Sequence, residues 1–141
     1  MPNAPTAIMP TYGRLPVTFS RGEGAILYDT ADRAYLDGLS GIAVTNLGHN
    51  HPRVTAAVTE QAARLVHTSN LFHIGLQEEA ADLLRQATGM ENMFFCNSGA
   101  EANEAAIKLA RRLGHHRQIA RPHIIVLDGA FHGRTIGALS A

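Results

Sequence analysis

Three short runs with β character open the patterned part of the chain: Val17 to Ser20, Ala25 to Asp29 and Ala34 to Asp37. "RGEG" separates the first two and "TADR" the last two, which predicts a small antiparallel meander. A Gly-rich connection, "GLSGIAVTNLGHNHP", follows. Pro52 suits the first turn of a helix running to about Val66, with Val54, Ala57, Val58, Ala62 and Leu65 on one face. "HTSNLFH" interrupts the pattern. A second helix is predicted from about Leu76 to Ala87, with Ala80, Leu83, Leu84 and Ala87 inward and Gly89 as its stop. Met93 to Cys96 is a short apolar run. The helix beyond Ala100 places Ala102, Ala106, Leu109, Ala110 and Leu113 on one face and should end near Gly114. "HIIVL" is a continuous apolar run, the mark of a strand buried on both faces, and "DGAFHGRT" leaves its end.

Met93 to Leu127 therefore reads as one strand–helix–strand unit, expected to have parallel strands and a right-handed crossover. The fold class is α/β. The expected organisation is an extended Pro-rich arm over residues 1–15, a small-domain meander and its connection over 16–50, and the incomplete start of a large sheet domain over 51–141. A parallel sheet needs more strands than these two, so the expectation is a partial fold.

The 141 residues suffice for one domain with a core, and 45% hydrophobic with 17% charged residues suits a globular chain. Twelve basic residues balance twelve acidic ones, so no strong field favours nucleic acid or an anionic membrane. A single cysteine, Cys96, excludes an intrachain disulfide framework. The start "MPNAPTAIMP" has neither a basic n-region nor a long apolar run, which together with the cysteine usage predicts a cytoplasmic protein.

Chemistry concentrates at two loops. In "FFCNSGAEANEAAIKLAR" an Asn-Ser-Gly-Ala turn joins an apolar run to a helix. The first N–H groups of that helix are unpaired and carry the positive end of its dipole, so an anion fits there. Gly99 and Ala100 let a phosphate approach, and Ser98 adds a hydroxyl. On spacing alone the turn reads first as an ordinary N-cap, with Asn97 or Ser98 capping and Glu101 in the first turn. "NSGAE" matches neither the P-loop nor GxGxxG. In "DGAFHGRT", Phe131 can stack on a planar ring and Arg134 can take a carboxylate in a bidentate fork. Read singly, Phe131 is as well a core aromatic and Arg134 a surface charge. Taken together, the two loops suit an aromatic phosphate cofactor and a carboxylate substrate.

His49 with His51, and His115 with His116, are metal-ligand candidates outweighed by loop polarity, since no cysteine or carboxylate joins them at ligand spacing. Cys96 is expected to be a small core residue. Asp29, Asp32 and Asp37 are turn formers; Glu101 and Glu104 could touch the cofactor region but read first as solvated helix charges.

At "FFCNSGAEANEAAIKLAR" and "FHGRT" the sequence resembles the class III, ornithine-type aminotransferases. "MPTYGRLPVTFSRGEGAILYD", "YLDGLSGIAVTNLGHNHP" and "HTSNLFH" narrow the resemblance to the branch acting on N2-acetyl-L-ornithine in arginine biosynthesis. The resemblance covers Met9 to Ala141. It implies the fold type I architecture, pyridoxal 5′-phosphate as cofactor, 2-oxoglutarate as amino acceptor and a homodimer with its sites at the interface. It implies a phosphate turn at Ser98, Gly99 and Ala100, with the N–H groups of the last two as donors. It implies Phe131 stacked on the pyridine ring, His132 beside the cofactor, and Arg134 on the substrate α-carboxylate. Ser69 and Asn70 match the segment approaching the partner's site, and Gly41 to Val44 a loop lining the substrate pocket. Ornithine, succinylornithine, succinyldiaminopimelate and 4-aminobutyrate stay open as alternative donors.

The family's Schiff-base lysine lies beyond "FHGRT", and Lys108, the only lysine of the chain, matches a helix residue of the signature instead. The expectation is that no catalytic residue lies in these 141 residues and that the chain alone does not transaminate. A non-catalytic truncated product or binding module is the rival from another class.

Overall fold

A computed structural model describes residues 7–141, and the first six residues of the expected arm lie outside them. Residues 7–15 form neither helix nor strand. The described residues divide after Leu71 into two compact units.

The first unit holds the only sheet among the described residues: β1 (Phe19–Glu23), β2 (Ile26–Asp29) and β3 (Ala34–Leu36), antiparallel and in that order. The expected meander is present, but Arg21, Gly22 and Glu23 pair within β1 instead of forming the turn. A register shift between Phe19 and Arg21 accommodates the bulged Ser20, whose hydroxyl donates to the Asp29 carbonyl at 3.2 Å.

Asp29 organises the β2–β3 turn and is 3% exposed. Its carboxylate accepts from the Ala31 and Arg33 N–H groups at 2.9 and 3.0 Å, from Arg33 Nε at 2.7 Å and from the Tyr35 hydroxyl at 3.1 Å. These donors, the Arg33 N–H foremost, hold its carboxyl below the usual carboxylate range. Asp37 is held low in the same way, first by His49 Nε2 at 2.7 Å and then by the Ser40 N–H.

A depressed folded pKa gives stability that is present above the unfolded value and lost as pH falls through the folded one. The meander is therefore expected to keep its amide chemical shifts at pH 5 and to lose them progressively below the ordinary aspartate value of 3.8. An amide NMR titration checks this, and an Asp29→Asn variant should flatten the profile.

The connection after β3 contains α1 (Ser40–Ala43), which is a left-handed turn: φ is positive at Ser40, Gly41, Ile42 and Ala43. Left-handed backbone costs roughly 1–2 kcal/mol per non-glycine residue, so this loop stores strain. Helix α2 (Pro52–Arg64) starts at Pro52 as expected and ends two residues early.

The second unit contains α3 (Gly75–Thr88), α4 (Gly99–His116) and α5 (Ile136–Leu139). Gly89, at φ 73°, ends α3 as its position predicts. Helix α4 runs past Gly114, where the missing side chain makes room for Pro122: a Cβ there would stand 2.5 Å from the Pro122 ring.

Two expectations fail in this unit. The segments 93–96 and 124–127 flank α4 but carry no ladder, neither with each other nor with another strand. A buried parallel strand is held by hydrogen bonds to its neighbours, and no such neighbour occurs among the described residues. Apolar content alone therefore leaves Ile125 96% exposed. The predicted apolar faces of α2, α3 and α4 are likewise open, with Val58, Leu83 and Leu109 all exposed. On α4 the half-buried stripe is instead Ala100, Asn103, Glu104 and Ile107, leading to buried Gly114. The docking partner is polar, and hydropathy does not register it. Ala138 is the sole buried hydrophobic residue among those described. Cys96, expected in a core, is exposed.

Candidate functional site

The candidate site is built on the first two turns of α4. Ser98 is the N-cap, in extended backbone, and its Oγ accepts from the Glu101 N–H at 3.2 Å. The Glu101 carboxylate reaches back to the Asn97 N–H at 2.7 Å. This is a capping box shifted by one residue, so the ordinary cap is real. It leaves the N–H groups of Gly99 and Ala100 unused, at the positive end of an 18-residue helix. A Cβ added at Gly99 would meet nothing within 4 Å. The cap is therefore compatible with an anion at this turn: Ser98 uses a lone pair for the cap and keeps its O–H to donate.

The second loop docks on this turn. Gly133 lies against Ala100: a Cβ at Gly133 would stand 2.9 Å from Ala100 Cβ, and its φ of 130° is one that side chains rarely adopt. Two hydrogen-bonded groups flank the contact. Asn103 Nδ2 donates to the His132 carbonyl at 2.6 Å. Glu104 Oε1 accepts from the Thr135 hydroxyl at 2.5 Å and from the Gly137 and Ala138 N–H groups at 3.0 and 3.3 Å. These donors, led by the Thr135 hydroxyl, hold the Glu104 carboxyl below its usual range, with Lys108 contributing through its charge. Glu104 thus ties two elements together and is not the solvated helix charge expected of it. Neither Asn103 nor Glu104 stood out in the sequence. The available signal was a Thr135 placed to cap a short turn of small residues, facing a polar pair one turn along α4.

The predicted residues of the second loop gather beside the cap. Phe131 is 74% exposed, and the Arg134 guanidinium carbon lies 5.6 Å from its ring centroid, within cation–π range. His132 Nδ1 is buried without a hydrogen-bond partner. It borders a cavity of about 280 Å³ walled by Ile107, Ile124 and Val126. An exposed aromatic ring and a guanidinium thus flank Gly133, the residue packed on Ala100 in the first turn of α4. This donor set fits an anionic group and a planar ring.

The other candidates lie in the first unit. Gly41 to Val44 form the left-handed turn and its end. Next to it, Thr45 Oγ1 and His51 Nδ1 are buried without partners at the wall of a hollow of about 410 Å³. Ser69, at φ 70°, accepts from the Leu71 N–H at 3.4 Å, and Asn70 is exposed. His49 is paired with Asp37. Among the described residues no three His, Cys, Asp or Glu side chains cluster as metal ligands, and no helix is long and apolar enough to cross a membrane.

Residues 7–141 match the family model of aminotransferase class III. The chain is 57% identical over 134 residues to acetylornithine aminotransferase of Nitrosomonas europaea, covering 95% of this chain and 34% of that protein. Among solved structures, N-acetylornithine aminotransferase from Stenotrophomonas maltophilia superposes with a TM-score of 0.72 at 44% identity, over 76% of this chain and 29% of that one. Ornithine aminotransferase from Toxoplasma gondii superposes with a TM-score of 0.87 at 33% identity, over 96% of this chain and 32% of that one. The chain thus spans about a third of the length of the relatives it matches.

Proposed function

The chain belongs to the class III aminotransferases, and from that premise we propose that it supplies the phosphate cradle and carboxylate clamp of a pyridoxal 5′-phosphate-dependent transaminase. The proposed donor is N2-acetyl-L-ornithine and the acceptor 2-oxoglutarate, in arginine biosynthesis, within a cytoplasmic homodimer. The proposed domain division is the arm (1–15), the small-domain meander (16–50) and the start of the cofactor-binding domain (51–141).

The observation that carries this proposal is the seating of Gly133 on Ala100. It sets the stacking ring and the guanidinium beside the open N–H groups of the helix, so one ligand can meet all three. When bound, pyridoxal phosphate supplies the conjugated ring that accepts the electron pair left at the substrate α-carbon. Gly99 and Ala100 hold its phosphate through their N–H groups, with the Ser98 hydroxyl as a further donor. Phe131 covers the ring face, and His132 stands beside it. Arg134 fixes the substrate carboxylate by a two-pronged ion pair.

Lys108 is not proposed as the cofactor-linking lysine. It stands eight residues beyond Ala100 along α4, about 12 Å at 1.5 Å per residue. These 141 residues carry no other lysine, so the cofactor-linking residue of the proposed transaminase is not among them; the second reading is a segment that binds the cofactor without turning over substrate.

Gly99→Val separates fold from binding, because its added methyl groups enter open space at the phosphate position. The expected result is unchanged circular dichroism with pyridoxal phosphate binding, read by fluorescence quenching, weakened at least roughly tenfold, the equivalent of about 1.4 kcal/mol. Lys108→Ala should leave binding unchanged, and borohydride should trap no cofactor on Lys108. A Lys108-dependent adduct, or full binding by Gly99→Val, overturns the proposal. The donor is settled by assaying an active protein that carries this segment with each candidate amine and 2-oxoglutarate.

A further inference from the structure

Arg134 sits in a stretch whose backbone is anchored on both sides to α4. On the N-terminal side, the His132 carbonyl is held by Asn103 Nδ2 at 2.6 Å. Immediately before the arginine, Gly133 is pressed against Ala100. On the C-terminal side, Thr135 Oγ1, Gly137 N–H and Ala138 N–H all converge on one oxygen, Glu104 Oε1. Asn103 and Glu104 are consecutive residues in the second turn of the same helix whose first turn presents Gly99 and Ala100. The helix backbone is rigid, so these anchors fix the distance from the phosphate turn to Arg134. We infer that Asn103 and Glu104 are positioning residues that set where Arg134 meets the substrate carboxylate.

The physical ground is the tolerance of a bidentate ion pair. Two parallel N–H···O bonds need the fork aligned in plane and distance, and a misplacement of about 1 Å can cost on the order of 100-fold. Glu104 carries the larger share because it gathers three donors, two of them backbone N–H groups that open the short helix α5. Thr135 assists by capping the same turn, its Oγ1 lying 3.4 Å from the Ala138 N–H. A side chain placed at Gly137 would fall on the Glu104 carboxylate, so the α5 backbone is seated directly on the acid. The packing explains why an acid stands here, between Asn103 and Ala105.

The inference rests on the proposed role of Arg134 and is tested in an active aminotransferase carrying this segment, with Arg134→Gln run in parallel. Glu104→Ala is expected to raise KM for both the amino donor and the keto acid by roughly 10- to 100-fold, with kcat and cofactor affinity changed far less. Amide hydrogen exchange at residues 135–139 should speed up in the same variant. Glu104→Gln keeps an acceptor oxygen at the same place and should restore KM to within about threefold, which a purely charge-based role would not allow. Unchanged exchange at 135–139, or a parallel fall of kcat and cofactor affinity, overturns the inference. Arg134→Gln raising KM while Glu104→Ala leaves it unchanged overturns it as well. If both variants are silent on KM, the carboxylate role of Arg134 fails, and the inference fails with it.

Discussion

Replacing Arg134 by lysine in an active aminotransferase that carries this segment is expected to lower kcat/KM for the amino donor by roughly 10²–10³, or about 3–4 kcal/mol of transition-state stabilisation. The charge is kept, so a merely electrostatic role would cost little. What is lost is the planar fork, which offers two parallel donors to one carboxylate, where an ammonium offers a single point contact. Lysine also lacks the planar guanidinium whose central carbon now lies 5.6 Å from the Phe131 ring centroid. Cofactor affinity should stay unchanged, because the proposed phosphate donors are backbone N–H groups on α4. Steady-state kinetics with donor and acceptor varied separately, beside a cofactor titration, check this. A lysine variant with near-normal kcat/KM would remove Arg134 from the substrate site.

The second large effect is expected at Gly133. Valine there must adopt a φ near 130°, a region closed to β-branched side chains, and its Cβ would enter the space of Ala100 Cβ at 2.9 Å. Relief requires the 131–138 loop to lift from α4, breaking the Asn103 and Glu104 hydrogen bonds. Phe131 and Arg134 then lose their place beside the phosphate turn together. The expected result is cofactor affinity lowered at least roughly tenfold, about 1.4 kcal/mol, with α4 helicity kept. Circular dichroism with fluorescence quenching by pyridoxal phosphate reads both. Normal cofactor binding by Gly133→Val would show that the docking of the loop is not needed for the site.

The difference between Gly99 and Gly133 shows how far the sequence could be read. Both stand in motifs that the sequence singled out. Only the structure shows that Gly99 faces open space, whereas Gly133 is pressed against another motif 33 residues away. Helix starts and stops were legible because they are local: Pro52 at a first turn, Gly89 in left-handed backbone and Ser98 as a cap act within a few residues. The meander was legible for the same reason, although its first turn was placed three residues early. The buried stripe of α4 was not. Hydropathy chose the alanine and leucine face, yet the helix is packed through Asn103 and Glu104, whose value depends on donors at positions 135–138. The segments 93–96 and 124–127 were legible as apolar runs, but the strands expected there did not form, because a ladder belongs to pairs of strands.

By itself the sequence determined the short-range features of this protein: its caps, its turns, the residue types of a phosphate cradle and of a carboxylate clamp, and the family they resemble. Those follow from backbone preferences and side-chain chemistry that act over one or two turns. The tertiary structure alone decided that the loop around Gly133 docks on the first turn of α4, that an asparagine and a glutamate hydrogen-bond it there, and that the apolar faces of α2, α3 and α4 are open. Each of these is set by which distant groups satisfy one another's hydrogen bonds and fill one another's space, and no single stretch of chain contains both partners.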